Sequence, residues 1–255
     1  NQSVFGNYSA GAFGINVRDN VAKFGITNFT PSGGAFVSDD IWHVIYVYVN
    51  GSEATDAERV VVEIDGVPQS LGAFAFGGWA GARTFAAATT GKLWIGAMGI
   101  GSTGVLNGFQ LAPFACGSGK PTTAQKRSVI GAGTYTVDTL PGVRNHWKCN
   151  VGTGGAADEG SVSTWTSQSP AATACTVPSS GGTTVEAPTL RIAQNRNVPV
   201  LVFNNAYQNP TFTGAKHQVL HNDSITPMAP MRGTAWAAVR IPTISLGAGH
   251  SSHDF

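Results

Sequence analysis

The sequence has few charged residues for its length. Asp, Glu, Lys and Arg make up 11% of its 255 residues, against roughly 25% in an average soluble domain. The formal net charge is +1, so the chain lacks the basic excess with which proteins bind DNA or RNA. Because the hydrophobic content is 42% and the net charge is small, the composition also excludes a disordered chain.

Long apolar stretches are missing as well. No run approaches the ~20 residues that cross a bilayer as a helix, and the start at Asn1 does not have the pattern of a signal peptide. We therefore expect no membrane insertion. With so few charges, the surface must consist largely of Ser, Thr, Asn, Gln and Gly, which suits packing against other subunits or polysaccharide.

Cysteine is scarce, and the spacing of Cys116, Cys149 and Cys175 fits no metal site. An odd count favours buried free thiols. The alternative is one disulfide plus one free thiol, which requires an oxidising compartment. The sequence does not decide which cysteines would pair.

Strand patterns dominate what is present. Short runs rich in β-branched and aromatic residues are bounded by Gly, Pro, Asn or Ser. They predict strands at 13–17, 41–50, 59–64, 93–96, 198–203 and 234–241. Asp65-Gly66 after the third run predicts a tight type I′ hairpin, and only residues 123–128 favour a short helix. The predicted fold class is all-β, an antiparallel sandwich.

Residues 112–187 have a different composition, with few predicted strands and much Gly, Ser, Thr, Ala and Pro. We interpret residues 1–255 as a single domain in which 112–187 is a loop-rich connecting region. The alternative is that 1–115 and 138–255 are halves of two tandem or swapped domains.

Several blocks resemble one known family. Residues 40–47 with Trp42-His43, 61–67 with Asp65-Gly66, and the strand 91–96 resemble the C-terminal half of a concanavalin A-like, laminin-G-like jelly-roll domain. The blocks that resemble its N-terminal half are 138–142, 160–169, 187–190 and 198–203. Two positions depart from the family pattern, because Ser167 stands where Asp is usual and Pro170 where Gly is usual.

The two halves occur in reversed order, and joining Phe255 to Asn1 would restore the usual one. The resemblance therefore implies a jelly-roll sandwich that is circularly permuted, with halves of two domains as the alternative. In a permuted domain the two termini should lie on one edge, within roughly 15 Å of each other.

The resemblance is more specific for fold than for function, because this fold hosts lectins, hydrolases, adhesins and phage structural proteins. The later blocks look most like modules of bacteriophage tail and capsid-surface proteins. This implies a non-catalytic binding and assembly module, located in a virion or outside the cell. Its expected partners are other subunits of a larger assembly and, secondarily, glycans. The alternatives are a secreted carbohydrate-binding lectin or adhesin and, after it, a glycoside hydrolase.

The sequence around Glu63 is the part of the chain that bears on the hydrolase alternative. Laminarinase-like glycosidases of this fold carry Glu-Ile-Asp-x-x-Glu on one strand, and retaining enzymes hold their two carboxyl groups about 5 Å apart. Here Pro68 takes the position of the acid, and Asp65-Gly66 turns the chain. We predict a solvated Glu63 at a hairpin end, no catalytic residue and no enzyme activity.

Sugar-binding sites use exposed aromatic rings, which stack on the C–H faces of pyranose rings. Trp79 lies in a Gly-rich loop, and Tyr207 lies among the amides of residues 204–209. If a glycan is bound, we predict that Trp79 or Tyr207 contacts it, with Asn205 as a further candidate ligand residue. The tryptophans in strand patterns are predicted to be core residues: Trp42, Trp94, Trp165 and Trp236.

No cofactor is expected. His217 and His221 have a zinc-protease spacing without the Glu that follows the first His, and His250 and His253 lie in a Gly-rich end. Asp39 and Asp40 are the residues that could bind Ca²⁺, which some laminin-G-like domains hold. Solvated turn carboxylates are the preferred interpretation of this pair.

Residues 41–50 and 198–203 contain no charged side chain. Uncharged edge strands are open to pairing with another chain. These two strands must therefore be interior or covered by a neighbour. We expect the protein to work in a multimer, with residues 112–187 over another subunit and more than ~1,000 Å² buried.

Overall fold

The architecture comes from a computed structural model, which describes residues 2–7, 13–18, 21–26, 40–50, 53–55, 58, 60–69, 91–96, 108–117, 119–131, 140–169, 173–179, 185–195, 198–204, 217–225 and 232–241. Within these residues the chain forms mostly antiparallel β-sheets and little helix, as the strand patterns predict. The elements in chain order are β1 (Gln2–Asn7), β2 (Phe13–Arg18), β3 (Val21–Ile26), β4 (Trp42–Asn50), β5 (Val60–Ile64), β6 (Val67–Pro68), β7 (Gly91–Ile95), β8 (Phe109–Gly117), α1 (Thr123–Gly131), β9 (Val143–Trp147), β10 (Thr164–Thr166), β11 (Ala174–Thr176), β12 (Val185–Glu186), β13 (Thr189–Asn195), β14 (Val198–Phe203), β15 (His217–Gln218), β16 (Leu220–Ile225) and β17 (Arg232–Arg240).

Two large sheets carry most of the strands. One has the order β13-β14-β8-β17-β4-β5-β6, with β9 also paired to β8, and the other has the order β10-β11-β16-β7-β1-β2-β3. In each sheet, a strand from the end of the chain pairs with one from its beginning: β17 pairs with β4, and β16 pairs with β7. The neighbours in these sheets are antiparallel, whereas the short pair β12 and β15 is parallel.

The main hydrophobic core includes residues of both sheets, which gives a β-sandwich-like architecture. Ile45, Val47 and Val239 belong to the eight-stranded sheet, and Ile95 and Trp165 to the seven-stranded one. Because side chains alternate along a strand, the residues between these positions lie on the opposite face. We call the face with Ile45 the inner face of the eight-stranded sheet, and the opposite one the outer face.

The outer face carries a second cluster of buried residues. Val44, Tyr46 and Tyr48 of β4 lie there with Trp236 of β17, and Leu140 packs against them. The rings of Tyr46 and Trp236 meet edge to face at a centroid distance of 5.4 Å. The central strands are therefore buried on both faces, which explains why β4 is apolar and aromatic at nearly every position.

The secondary structure predicted from the sequence is largely confirmed. Each of the six predicted strands is present within two residues of its predicted bounds, and the helix is three residues longer than predicted. Asp65 and Gly66 have φ values of 52° and 76°, as a type I′ turn requires. β4 lies between β17 and β5, and β14 lies between β13 and β8, so both uncharged strands are interior.

Residues 140–169 and 173–179, within the Gly-rich region, contribute three short strands and several core side chains. Trp147, Cys149, Val162 and Trp165 are all at most 1% exposed. Asn1 and Phe255 lie outside the described residues, so the expected distance between the termini stays a prediction. None of the described helical segments is long and apolar enough to cross a membrane.

The turn-rich segment 148–160 supplies a matched test of the backbone. Gly152 and Gly155 both have positive φ, 72° and 81°. A Cβ on Gly152 would lie 2.3 Å from the carbonyl oxygen of Thr166, whereas a Cβ on Gly155 would meet no atom within 4 Å.

We predict that Gly155→Ala lowers the free energy of unfolding by about 1–2 kcal/mol, the cost of a left-handed conformation for an L-residue. Gly152→Ala should lower the free energy of unfolding by clearly more, because the new Cβ would also clash with the backbone of β10. Urea denaturation of the two variants measures both values. Equal losses would contradict the described path of the segment.

Candidate functional site

The most unusual polar contact of the described residues joins α1 to the outer face. Lys126 Nζ donates a hydrogen bond to Glu63 Oε1, and both residues are buried, at 6% and 7% exposure. Glu63 on β5 is paired directly with Tyr46 on β4. The lysine nitrogen lies 4.5 Å from the centroid of the Tyr46 ring, so it meets a carboxylate and an aromatic face together.

The sequence around Thr122 explains why Lys126 reaches this position. Thr122 and Gln125 form a capping box, in which the Thr122 N–H donates to Gln125 Oε1 at 2.8 Å and the Gln125 N–H donates to Thr122 Oγ1 at 3.3 Å. This contact fixes the start of α1. Lys126 follows one turn later, and it is buried while the other described side chains of residues 122–128 are exposed.

A buried ion pair of this kind restricts what Glu63 can do. Both charges lose most of their hydration and compensate each other, and the face of the Tyr46 ring further stabilises the lysine cation. The prediction of a solvated Glu63 was therefore wrong. The prediction that it ends a hairpin was right, since Glu63 is paired with Pro68 across the β5–β6 turn. The sequence reasoning missed Lys126, which lies 63 positions away.

A second lysine lies over the next tyrosine of β4. Lys120 Nζ is 4.7 Å from the centroid of the Tyr48 ring and 3.7 Å from Glu53 Oε1. The hydroxyl of Tyr48 and the amide of Asn50 donate hydrogen bonds to the same carboxylate oxygen, at 3.0 and 2.9 Å. These two hydrogen bonds, with the charge of Lys120 as a smaller contribution, hold the pKa of Glu53 below its ordinary value.

His43 and Asp65 form a third polar pair, at the β5–β6 turn. His43 Nδ1 lies 2.7 Å from Asp65 Oδ2, and the backbone N–H of Val44 donates to Asp65 Oδ1 at 2.8 Å. Asp65 thus fixes the turn to the beginning of β4. His43 is half-buried.

The three cysteines lie in the inner core as free thiols, which confirms the prediction from their odd number. Burial raises the pKa of Cys116 to about 12, although a hydrogen bond with Asn145 opposes the change. Burial also raises the pKa of Cys149 and of Cys175 well above the ordinary range. Neutral buried thiols are poor nucleophiles and metal ligands.

The predicted ligand contacts Trp79, Tyr207 and Asn205 lie outside the described residues and stay predictions. Trp165 and Trp236 are confirmed as core residues, at 0% and 2% exposure. Trp42 differs from its prediction, because it packs on the edge of the outer cluster and is partly exposed. Trp94 lies in β7, as its pattern indicated.

For metals, the described residues contain no group of three or more His, Cys, Asp or Glu side chains that could hold an ion. Of the two residues considered for Ca²⁺, Asp39 is not described. The carboxylate of Asp40 accepts a hydrogen bond from Arg240 Nη2 at 2.9 Å. One of its oxygens is therefore engaged by a guanidinium group.

No protein-family model, curated protein or solved structure matches this sequence. The all-β, sandwich-like architecture agrees with the coarse part of the concanavalin A-like resemblance.

The buried pair gives a direct stability test. Glu63→Gln leaves Lys126 as an unpaired buried charge, and Lys126→Met does the same to Glu63. We predict that each variant loses about 3–5 kcal/mol of unfolding free energy, and that the double variant loses less than the sum. Chemical denaturation of the four proteins in this cycle measures the coupling.

The matched control is the ion pair between Arg191 and Glu159, whose side chains are 36% and 69% exposed. Arg191→Met should cost at most about 1 kcal/mol, because exposed pairs contribute little. Equal losses for Lys126→Met and Arg191→Met would show that the Lys126–Glu63 contact does not anchor the helix.

Proposed function

We propose that the chain is a non-catalytic binding and assembly module. The observation that carries this proposal is the edge strand β3, which pairs with β2 and with no other described strand. Its six residues include one charge, Lys23. An edge strand with so little charge offers unpaired backbone donors and acceptors to a strand of another chain.

The eight-stranded sheet has two edge strands, β13 and β6, and neither is open in the way that β3 is. β6 contains two residues and ends at Pro68, which has no N–H to donate. Short edge strands and proline are common means of preventing edge-to-edge pairing. The other edge strand of this sheet, β13, is covered by residues 158–160, because the N–H of Leu190 donates to the Gly160 oxygen at 2.9 Å and the N–H of Ile192 donates to Asp158 Oδ1 at 2.8 Å. The other edge strand of the seven-stranded sheet, β10, has only three residues. Because these three edges are short or covered and β3 is not, β3 is the edge through which we propose that assembly proceeds.

The position of Glu63 supports the non-catalytic part of the proposal. A retaining glycosidase needs a carboxylate nucleophile and a second carboxyl group about 5 Å away, both facing the sugar. Glu63 is instead buried beneath α1 and ion-paired with Lys126, and its neighbour across the hairpin is Pro68. Its contacts support a structural role for this residue.

A virion is the biological setting that we propose for the module, as a structural or decoration component. The support for this is the low charge of the surface and the open strand edge, both of which suit a repeated array of subunits. The second setting is extracellular, as a secreted carbohydrate-binding adhesin.

Light scattering on the purified chain tests the assembly proposal. A monomer has a mass of 26.3 kDa, and we expect a multimer at micromolar concentrations, with more than ~1,000 Å² buried at each contact. A monomer that persists at high concentration would contradict self-assembly through β3.

Two neighbouring proline variants make this test specific. Along an antiparallel edge strand, residues whose N–H points to the partner strand alternate with residues whose N–H points away. One of Ala22→Pro and Lys23→Pro therefore removes a hydrogen bond to β2, and the other removes an outward donor. We expect one variant to lose stability, and the other to keep its melting temperature but lose the multimer. Two stable variants that both assemble normally would place the contact elsewhere.

A further inference from the structure

A row of partly exposed side chains crosses the end of the outer face. The strand registers pair Thr189 with Val202, Val202 with Gln110, Gln110 with Arg240, and Arg240 with Trp42. The five residues belong to the neighbouring strands β13, β14, β8, β17 and β4, and each is half-buried. We call these five residues the outer row.

The outer row marks the boundary of the covered part of the sheet. One step inward on the same face, Val200, Ala112, Ala238 and Val44 are at most 5% exposed. The outer face is therefore buried at its centre and opens to solvent at the outer row. Because neighbouring strands lie about 4.8 Å apart, the row is roughly 19 Å long, about the length of four extended pyranose units.

The side chains of the row have the chemistry that binds sugars. The indole of Trp42 offers an apolar ring to the C–H face of a pyranose. Arg240 and Gln110 carry planar groups with several N–H donors, which suit neighbouring hydroxyl groups. Thr189 adds a hydroxyl at the far end. Among the described residues, no donor reaches the side-chain oxygen of Gln110, which is buried. A bound hydroxyl group would supply that donor once the amide turned outwards.

The charge at the row favours a neutral ligand. Arg240 Nη2 donates to Asp40 Oδ2 at 2.9 Å, and Arg240 Nε donates to the backbone oxygen of Asp40 at the same distance. The positive charge of the guanidinium group is thus largely compensated, and the exposed carboxylate of Asp40 repels phosphates and acidic sugars. The same carboxylate can accept hydrogen bonds from sugar hydroxyl groups.

A protein partner fits the row less well. A stable protein interface uses about 20–30 residues on each side, whereas the row offers five. We propose that the outer row binds a neutral oligosaccharide, one pyranose over Trp42 and the others along Arg240, Gln110 and Thr189. This inference rests on the proposed non-catalytic binding function and assigns a ligand class and a surface to it.

Calorimetric titration tests the proposal with five neutral probes: cellohexaose, xylohexaose, laminarihexaose, maltohexaose and chitohexaose. Sialyllactose and a heparin hexasaccharide serve as acidic comparisons. We expect at least one neutral probe to bind the wild-type chain and to bind more tightly than either acidic one. No binding of any neutral probe at millimolar concentration, or tighter binding of an acidic one, would overturn the proposal.

Variants then locate the site. Trp42→Ala should lower the affinity for the tightest-binding neutral probe at least tenfold. Gln110→Ala should lower it at least threefold. Val151→Ala removes an exposed apolar side chain outside the row and should change nothing. If Trp42→Ala does not fold, as judged by its melting curve, Gln110→Ala decides, and unchanged affinity in that variant would overturn the proposal.

Light scattering on the same samples separates this inference from the proposed function. A multimer that binds none of the neutral sugars would reject the sugar site and leave the assembly module in place. A Trp42→Ala variant that loses the multimer while sugar affinity is unchanged would show that another copy of the chain covers the row, which also rejects the sugar site.

Discussion

The pairing of β4 with β17 is the interaction on which the rest of the described structure depends. It runs over nine residues, from Trp42 opposite Arg240 to Asn50 opposite Arg232, and it joins segments almost 200 positions apart in the chain. Both strands lie at the centre of the eight-stranded sheet. Their inward residues form part of the core between the sheets, and their outward residues form the core of the outer cluster. The register of this single pairing therefore decides the composition of both cores.

A sheet that is apolar on both faces needs a cover on each. The seven-stranded sheet covers the inner face, and α1 lies over part of the outer face through Lys126. Apolar residues in place of both Lys126 and Glu63 would cover the sheet equally well, because buried ion pairs often contribute less to stability than hydrophobic replacements of the whole pair. However, Lys126 can form an ion pair with Glu63 in only one placement of α1 on the sheet. The Lys126–Glu63 pair thus fixes where the helix lies on a surface that is otherwise apolar and uniform.

Local patterns predicted six of the 17 described strands and the short helix, because these elements are encoded by neighbouring residues. They did not predict β8, most of which lies in the region 112–187 that was expected to be rich in loops. The aromatic and β-branched run that became β4, and the turn at Asp65-Gly66, are examples. The site was much less predictable. The sequence predicts a solvated Glu63, because nothing near it in sequence shows that Lys126 covers it. The sequence also predicts a buried Trp42, because the alternation of a strand shows on which face a residue lies but not how much of that face is covered.

The outer row illustrates the same limit. Its members Trp42, Gln110 and Arg240 come from three distant segments, and they become neighbours through the register of β8, β17 and β4 alone. The Gly-rich loop of Trp79 and the amides around Tyr207 were visible in the sequence because each is a local feature. A binding surface built across strands has no such local signal.

The central claim is that the outer face of the eight-stranded sheet is buried at its centre and open at one end. Hydroxyl-radical footprinting read by mass spectrometry tests it directly, because it compares tryptophans within one folded sample. The account predicts rapid oxidation of Trp42 and strong protection of Trp147, Trp165 and Trp236, which are at most 2% exposed. Protection of Trp42 equal to that of Trp236, in a sample diluted until monomeric, would contradict it.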